Sequence, residues 1–369
     1  MKYKNLSLLF LTTIILIVAC SKDNEEVIQS PKLSVIFSDI PFKTEKFSRI
    51  GYVLKMWEFK KDGLLFEKLR ILDNHTKDVL MVIDKTDSVV IHSSPIKPNG
   101  YFVSDQIDHY YMSVQLPIPV TQSIPSSIAH QLVLKDTVHD TEVIVDGAIF
   151  SPRSTETPIS ILSPVKGYDW LFINQSTMQY HFNTMFFVDG SIYTGERFAF
   201  DNVRIDSTGE IRNGDPAVNE SYYNYKDTLF AVADGSIEAL RDGRPENSGN
   251  QHDVVMNSID EMGGNYLVLK IDNNHYALYA HCVPGSFLVS EGQTVHEGDP
   301  IALLGNSGNS DCPHVHFQIT DSPNLFFSRG LPFVLKEWTK IGEIATGRVD
   351  PPVRYYNCMM EELTIISFD

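Results

Sequence analysis

The chain is poor in positive charge. Lys and Arg number 30 against 47 Asp and Glu, a net charge of −17, which argues against nucleic acid or anionic lipid as an electrostatically held partner. Cysteine is sparse, limited to Cys20, Cys282, Cys312 and Cys358. The first half contains no glycine-rich phosphate loop, no charge block and no internal repeat. Membrane-spanning hydrophobicity is missing as well: the apolar run Leu8–Ala19, after Lys2 and Lys4, is too short to cross a bilayer as a mature helix. What is present is globular in character. An apolar fraction of 43% and 11% aromatics over 369 residues provide for about two ordinary domains and exclude a disordered chain.

A basic start, a short apolar core and a small residue before the cut make the N-terminus a secretory signal. Ile17-Val18-Ala19-Cys20 resembles the lipobox of bacterial lipoproteins, in which the cysteine is lipidated and becomes the first residue. Residues 1–20 are then a lipoprotein signal peptide and 21–32 a polar tether, so the mature protein is anchored to a membrane rather than spanning it. Ser21 differs from the Asp that retains many lipoproteins in the inner membrane. The acidic residues after it resemble the export signal of Bacteroidetes-type surface lipoproteins. The expected location is the cell envelope, at the outer membrane, on its periplasmic face or at the cell surface. Cys282, Cys312 and Cys358 then remain, an odd number that leaves at least one without an intrachain partner. They read as small buried hydrophobes ahead of a disulfide, and as poor metal ligands.

From Leu33 to Ile149 the sequence is β-like. The runs LSVIF, YVLKMWEF, VLMVI, YYMSVQL, HQLVL and EVIVDGAIF are separated by turn residues at intervals that suit a sandwich. Prolines at 117–125 favour loops or edges. His75, His92, His109, His130 and His139 are scattered and read as surface or structural. Residues 33–155 are therefore expected to form a non-catalytic β-sandwich, serving as spacer, substrate guide or partner surface. A cluster of turn formers, SPRSTETPIS at 151–160, marks the boundary.

The most informative stretch runs from Tyr279 to Thr320, YAHCVPGSFLVSEGQTVHEGDPIALLGNSGNSDCPHVHFQIT. HVHFQIT alternates in β-favouring residues and reads as a strand. Side chains at i and i+2 leave one face of a strand, so the imidazoles of His314 and His316 point the same way, roughly 7 Å apart along the chain. Such a pair can bind one metal, or bind with one member and handle protons with the other. Short apolar runs broken by Glu-Gly and Gly-Asn-Ser-Gly signal hairpins that would fold His281 back towards that strand.

This pattern resembles the C-terminal signature of the LytM/lysostaphin-type zinc metalloendopeptidases, which cut peptides in bacterial cell walls. The likeness extends over about Ser160 to Gly342. It implies a zinc ligand at His316 and catalytic histidines at His314 and His281. The family commonly supplies its other ligands as His-x-x-x-Asp. The matching Asp is Asp201, but Arg197 stands four residues before it and cannot bind zinc. A subset of the family carries the histidine earlier, separated by a hairpin from an Arg-Phe-Ala-x-Asp segment. Here that histidine is His181, followed by an expected turn at Asp189-Gly190, although Phe182 replaces the subset's usual basic residue. The resemblance thus implies Zn²⁺ held by His181, Asp201 and His316.

The fold expected is all-β, an N-terminal sandwich followed by a LytM-type antiparallel β-sheet peptidase domain at 156–350 and a tail at 351–369. Val232–Ile237 is expected to be strand–turn–strand, Gly264–Lys270 a central strand, and Leu363–Phe368 an edge strand. Arg197 is expected to pair with a carboxylate at the cleft edge. The activity implied is zinc-dependent hydrolysis of peptidoglycan stem peptides or cross-bridges. The alternative is a catalytically inactive LytM-like module that binds wall peptide or regulates another hydrolase. Those readings part at His181, since degenerate members lose ligands.

Overall fold

The computed structural model describes residues 32–57, 63–87, 91, 109–173, 179–188, 191–361 and 363–368. The signal peptide, Cys20, nearly all of the tether, the Asp189-Gly190 turn and His92 lie outside the described residues. The protein is nearly all β. Strands β1 (Leu33–Ser38), β2 (Phe42–Lys43), β3 (Phe47–Trp57), β4 (Leu64–Asp73), β5 (Val79–Asp84), β6 (His109–Pro119), β7 (Ile128–Asp136) and β8 (Thr141–Phe150) build two sheets. In one, β3 pairs with β1 and β2 along one edge and with β6 along the other. The other runs β5-β4-β7-β8.

The two sheets share a core. Tyr110, Met112, Val114, Leu116 and Ile118 of β6 are all buried, the period of two that a half-buried strand requires. They meet Leu69 and Ile71 of β4 and Leu132 and Leu134 of β7, as in a sandwich. His130 lies in this core, its Nδ1 donating to the Ala148 carbonyl at 2.9 Å and its Nε2 2.7 Å from the Tyr52 hydroxyl. Strand β4, LLFEKLRILD, is not among the expected strands. Its Leu, Glu and Lys favour helix in isolation, and pairing between β5 and β7 overrides that preference. Pro117 and Pro119 sit on β6, which pairs only with β3 among the described strands.

The rest of the chain forms β9 (Ile159–Ile161), β10 (Gly167–Ile173), a short helix α1 (Gln179–Phe182), β11 (Phe186–Val188), β12 (Ser191–Tyr193), β13 (Phe200–Arg204), β14 (Thr228–Phe230), β15 (Gly235–Arg241), β16 (Tyr266–Lys270), β17 (Tyr276–Ala280), β18 (Thr294–Val295), β19 (Pro300–Leu303), β20 (Val315–Thr320), β21 (Phe333–Glu343), β22 (Gly347–Cys358) and β23 (Thr364–Phe368). Their main sheet runs β18-β15-β16-β17-β20-β13-β10-β23-β21-β22 and is antiparallel, with β9 added in parallel to β21. Phe172, Phe200, Phe317, Tyr279, Trp170 and Trp338 fill the core beneath it, each contributing on the order of 1.5–3 kcal/mol by leaving water.

Three expectations are corrected here. Strand β23 is interior, lying between β10 and β21, because it carries apolar residues on both faces, Ile366 and Phe368 on one and Ile365 on the other, and is buried throughout. Asp234-Gly235 makes no hairpin, since β14 pairs with β19 while β15 pairs with β16 and β18. His281 reaches the His-Val-His strand by direct pairing of β17 with β20, not through the intervening hairpins.

Candidate metal centre and cleft

Three adjacent strands bring the site together. In the ladder between β13 and β20, Asp201 lies opposite His316, and in the ladder between β17 and β20, Ala280 lies opposite the same His316. Asp201 and His316 are thus a cross-strand pair on one face, and His281 leaves the end of β17 beside them. His281 has a backbone φ of +63°, a left-handed conformation rare for a residue bearing a side chain. Its N–H donates to the Gly263 carbonyl at 3.0 Å, which holds that turn in place.

The glycines of the Gly-Asn-Ser-Gly turn make the next contact possible. A Cβ on Gly308 would lie 2.4 Å from the Gly264 nitrogen and the Met262 carbonyl, and one on Gly264 would lie 2.4 Å from Ser307 backbone. The two segments pack without side chains, so the Ser307 carbonyl comes within 2.7 Å of His281 Nδ1. A carbonyl can only accept, so Nδ1 carries the proton and Nε2 is left for the cleft. His314 is held in the same sense, its Nδ1 donating to the Cys312 carbonyl at 2.8 Å with Ser310 Oγ at 3.2 Å.

His181, Asp201 and His316, all buried, each offer one donor atom, and these atoms lie within 4.8 Å of one another. His316 Nδ1 is 3.1 Å from Asp201 Oδ1, His181 Nε2 is 3.7 Å from Oδ2, and His314 Nε2 is 3.6 Å from Oδ1. Burial works to raise the Asp201 pKa, but the three imidazoles outweigh it and hold the carboxyl well below the usual carboxylate range. Burial lowers His181, and it lowers His281 strongly, with His314 and His316 adding to the effect. His316 goes the other way: burial opposes its charge, but the hydrogen bond to Asp201 lifts it to about 9. Two imidazole nitrogens and an ionised carboxylate converging in this way fit a divalent metal that accepts mixed nitrogen and oxygen donors.

Gln318 is a residue that the sequence pattern alone does not single out. Its Oε1 lies 2.9 Å from His316 Nε2, and its own amide donates to the Leu325 carbonyl at 3.0 Å. That second bond fixes which end of the amide faces the histidine, so His316 donates from Nε2 and turns Nδ1 towards Asp201. One signal does point to it, because Gln318 is two residues beyond His316 on the same strand face.

Helix α1 carries His181. Strands β11 and β12 pair as expected, Val188 opposite Ser191, and residues 195–198 then form turns. Arg197 does meet a carboxylate, though not at the cleft edge. It is fully buried, with Nε 2.9 Å from Asp39 Oδ2 in the N-terminal sandwich. A cleft of about 430 Å³ opens over the metal-binding group, with Tyr180, Phe186 and Phe326 among its walls and Glu196 and Asp311 on its surface. Cys282 and Cys358 are buried free thiols and Cys312 is a half-buried one. His275 is half-buried and His296 exposed.

An antiparallel β-sheet domain with a buried His/Asp cluster able to hold a metal is the class that this fold and this geometry define. Residues 224–325 match the model of peptidase family M23. Over 89 residues it is 33% identical to the peptidoglycan DD-endopeptidase ShyA of Vibrio cholerae, covering 24% of this chain and 20% of that protein. An uncharacterized metalloprotease of Haemophilus influenzae is 40% identical over 95 residues, 26% of this chain and 18% of the other. The chain thus spans about a fifth of the length of these relatives. The catalytic domain of lysostaphin from Staphylococcus simulans aligns over 33% of this chain and 86% of its own at 21% identity, with a TM-score of 0.22, too loose a superposition to carry an argument.

Proposed function

We propose that the protein is a zinc metalloendopeptidase that hydrolyses peptide bonds in peptidoglycan stem peptides or cross-bridges, and that it is held at the cell envelope by a lipid on Cys20. The single observation that supports this reading best is the convergence of His181, Asp201 and His316, with His281 and His314 beside them, on one cleft. His181, Asp201 and His316 would hold the metal. When bound, zinc acts as a Lewis acid on the scissile carbonyl and makes water more acidic.

The chain's own work is proton handling and positioning. His281 and His314 each commit Nδ1–H to a backbone carbonyl and keep Nε2 for the cleft. Their rings lie 4.7 Å apart, close enough to serve one reacting centre. One imidazole takes the proton from the attacking water. The pair then steadies the oxyanion and returns a proton to the leaving amine. Burial keeps His281 neutral near pH 7, the form that accepts a proton.

An inactive wall-binding module is the less favoured reading, because the third ligand that degenerate domains lose is supplied here by His181. Incubating metal-loaded protein with purified peptidoglycan, followed by mass analysis of the released fragments, tests the proposal. New amine and carboxyl ends at one class of peptide bond are expected. No cleavage by protein carrying one zinc per chain would overturn the enzyme reading in favour of the binding module.

A further inference from the structure

We propose that the N-terminal sandwich is a working part of the metal centre, with Asp39 acting through Arg197 and Phe182 as a positioning residue for His181. This rests on the assignment of His181 as a ligand. Asp201 lies on β13 and His316 on β20, both held by ladder hydrogen bonds to neighbouring strands. His181 has no such frame. It sits on α1, a helix of four residues, far too short to hold its own shape in water. The orientation of its imidazole must be imposed by what packs around it.

The ring of His181 meets Tyr180, His316 and Asp201, while its neighbour Phe182 is packed from the other half of the chain by way of Arg197. Arg197 donates from Nε to Asp39 Oδ2 at 2.9 Å, from Nη1 to Ser113 Oγ at 3.0 Å and from Nη2 to the Tyr52 carbonyl at 2.8 Å, all three acceptors belonging to the sandwich. With its edge so occupied, the guanidinium lies 4.2 Å from the ring centre of Phe182, the residue adjoining His181. Phe182 also packs edge-on to Phe198, which meets Phe42 of β2.

Strand β3 is built to admit this stack. A Cβ on Gly51 would lie 2.8 Å from Asp39 Oδ2, 3.3 Å from the Phe198 ring and 3.5 Å from the Phe182 ring. The bare backbone at that point lets carboxylate and rings close on one another. Arg suits the position and Lys does not, because only a planar fork can reach several fixed acceptors while stacking on a ring. Burying this pair demands well-placed partners, and the partners lie in different halves of the chain.

The test is zinc affinity, measured by chelator competition on full-length protein lacking the signal peptide, with circular dichroism confirming the fold of each variant. Asp39→Asn and Arg197→Met are expected to weaken zinc binding about tenfold or more, the effect usual for groups that orient a ligand. Arg197→Lys should fail to restore it. In Arg197→Met, Arg329 stays 3.8 Å from Asp39, so the carboxylate keeps a cation nearby. Arg49→Gln breaks a different ion pair between the same two halves, that with Glu361, and should leave affinity within about twofold.

Unchanged affinity in Asp39→Asn and Arg197→Met overturns the proposal, as does an equal loss in Arg49→Gln. Should Arg197→Met not fold, Phe182→Leu decides: several-fold weaker zinc binding supports the coupling and wild-type affinity overturns it. Failure of the wild-type protein to bind zinc at all removes the metal reading and this proposal with it. Tight wild-type binding with insensitive variants removes the coupling alone.

Discussion

Gln318 offers a quantitative test of how the metal site is held. The side chain is fully buried and makes both its bonds inside the protein, accepting from His316 Nε2 at 2.9 Å and donating to the Leu325 carbonyl at 3.0 Å. Gln318→Met keeps the volume and removes donor and acceptor together. An imidazole N–H and a carbonyl are left buried without those partners, at about 1–3 kcal/mol each, so unfolding stability should fall by about 2–6 kcal/mol. The loss of the acceptor also leaves the zinc-bound form of His316, with its proton on Nε2, without the partner that holds that tautomer. Outer partners of this kind are worth about 10–100-fold in metal affinity, or roughly 1.4–2.8 kcal/mol. Zinc competition measures the affinity, urea unfolding the stability, and imidazole ¹⁵N shifts the tautomer. Gln318→Glu keeps an acceptor and is expected to bind zinc more tightly than Gln318→Met. Zinc affinity unchanged in Gln318→Met, alongside the expected loss of stability, would show that the amide is only a packing group and refute the reasoning.

His181→Ala, Asp201→Ala and His316→Ala should each lose the metal, whereas His281→Ala and His314→Ala should retain one zinc per chain and lose turnover. Metal analysis of the five proteins checks this, and loss of zinc from either of the last two would mean that the roles are misassigned. Cys20→Ala should leave the protein soluble or unprocessed in cell fractionation, and unchanged membrane association would defeat the lipid anchor. Burial lowers His130 from 6.5 to about 4. Its neutral form is the folded one, so the stability it contributes is whole above about pH 6.5 and is lost as pH falls through 4, by roughly 3 kcal/mol in all. His130→Phe should flatten that part of the pH dependence in urea unfolding, and an unaltered slope would count against it.

What sequence alone determined about this protein is local. Alternation in HVHFQIT places His314 and His316 on one strand face whatever surrounds them, because the period of two is a property of the extended backbone. The same holds for YYMSVQL, whose alternate residues became the sandwich core. The Gly-Asn-Ser-Gly turn is legible because only glycine permits so close an approach of two backbones. Likeness to a family nominates His181 as a partner of Asp201, but no local rule of the chain links positions so far apart. Tertiary structure decided the rest. It set β4 as a strand against its helical propensity and drew Leu363–Phe368 from the expected edge into the sheet interior. It also delivered His281 by strand pairing and buried Arg197 against Asp39 across the two halves of the chain. These outcomes depend on which surfaces meet when long-range contacts form, and burial and pairing of that kind have no signature in any short window of sequence.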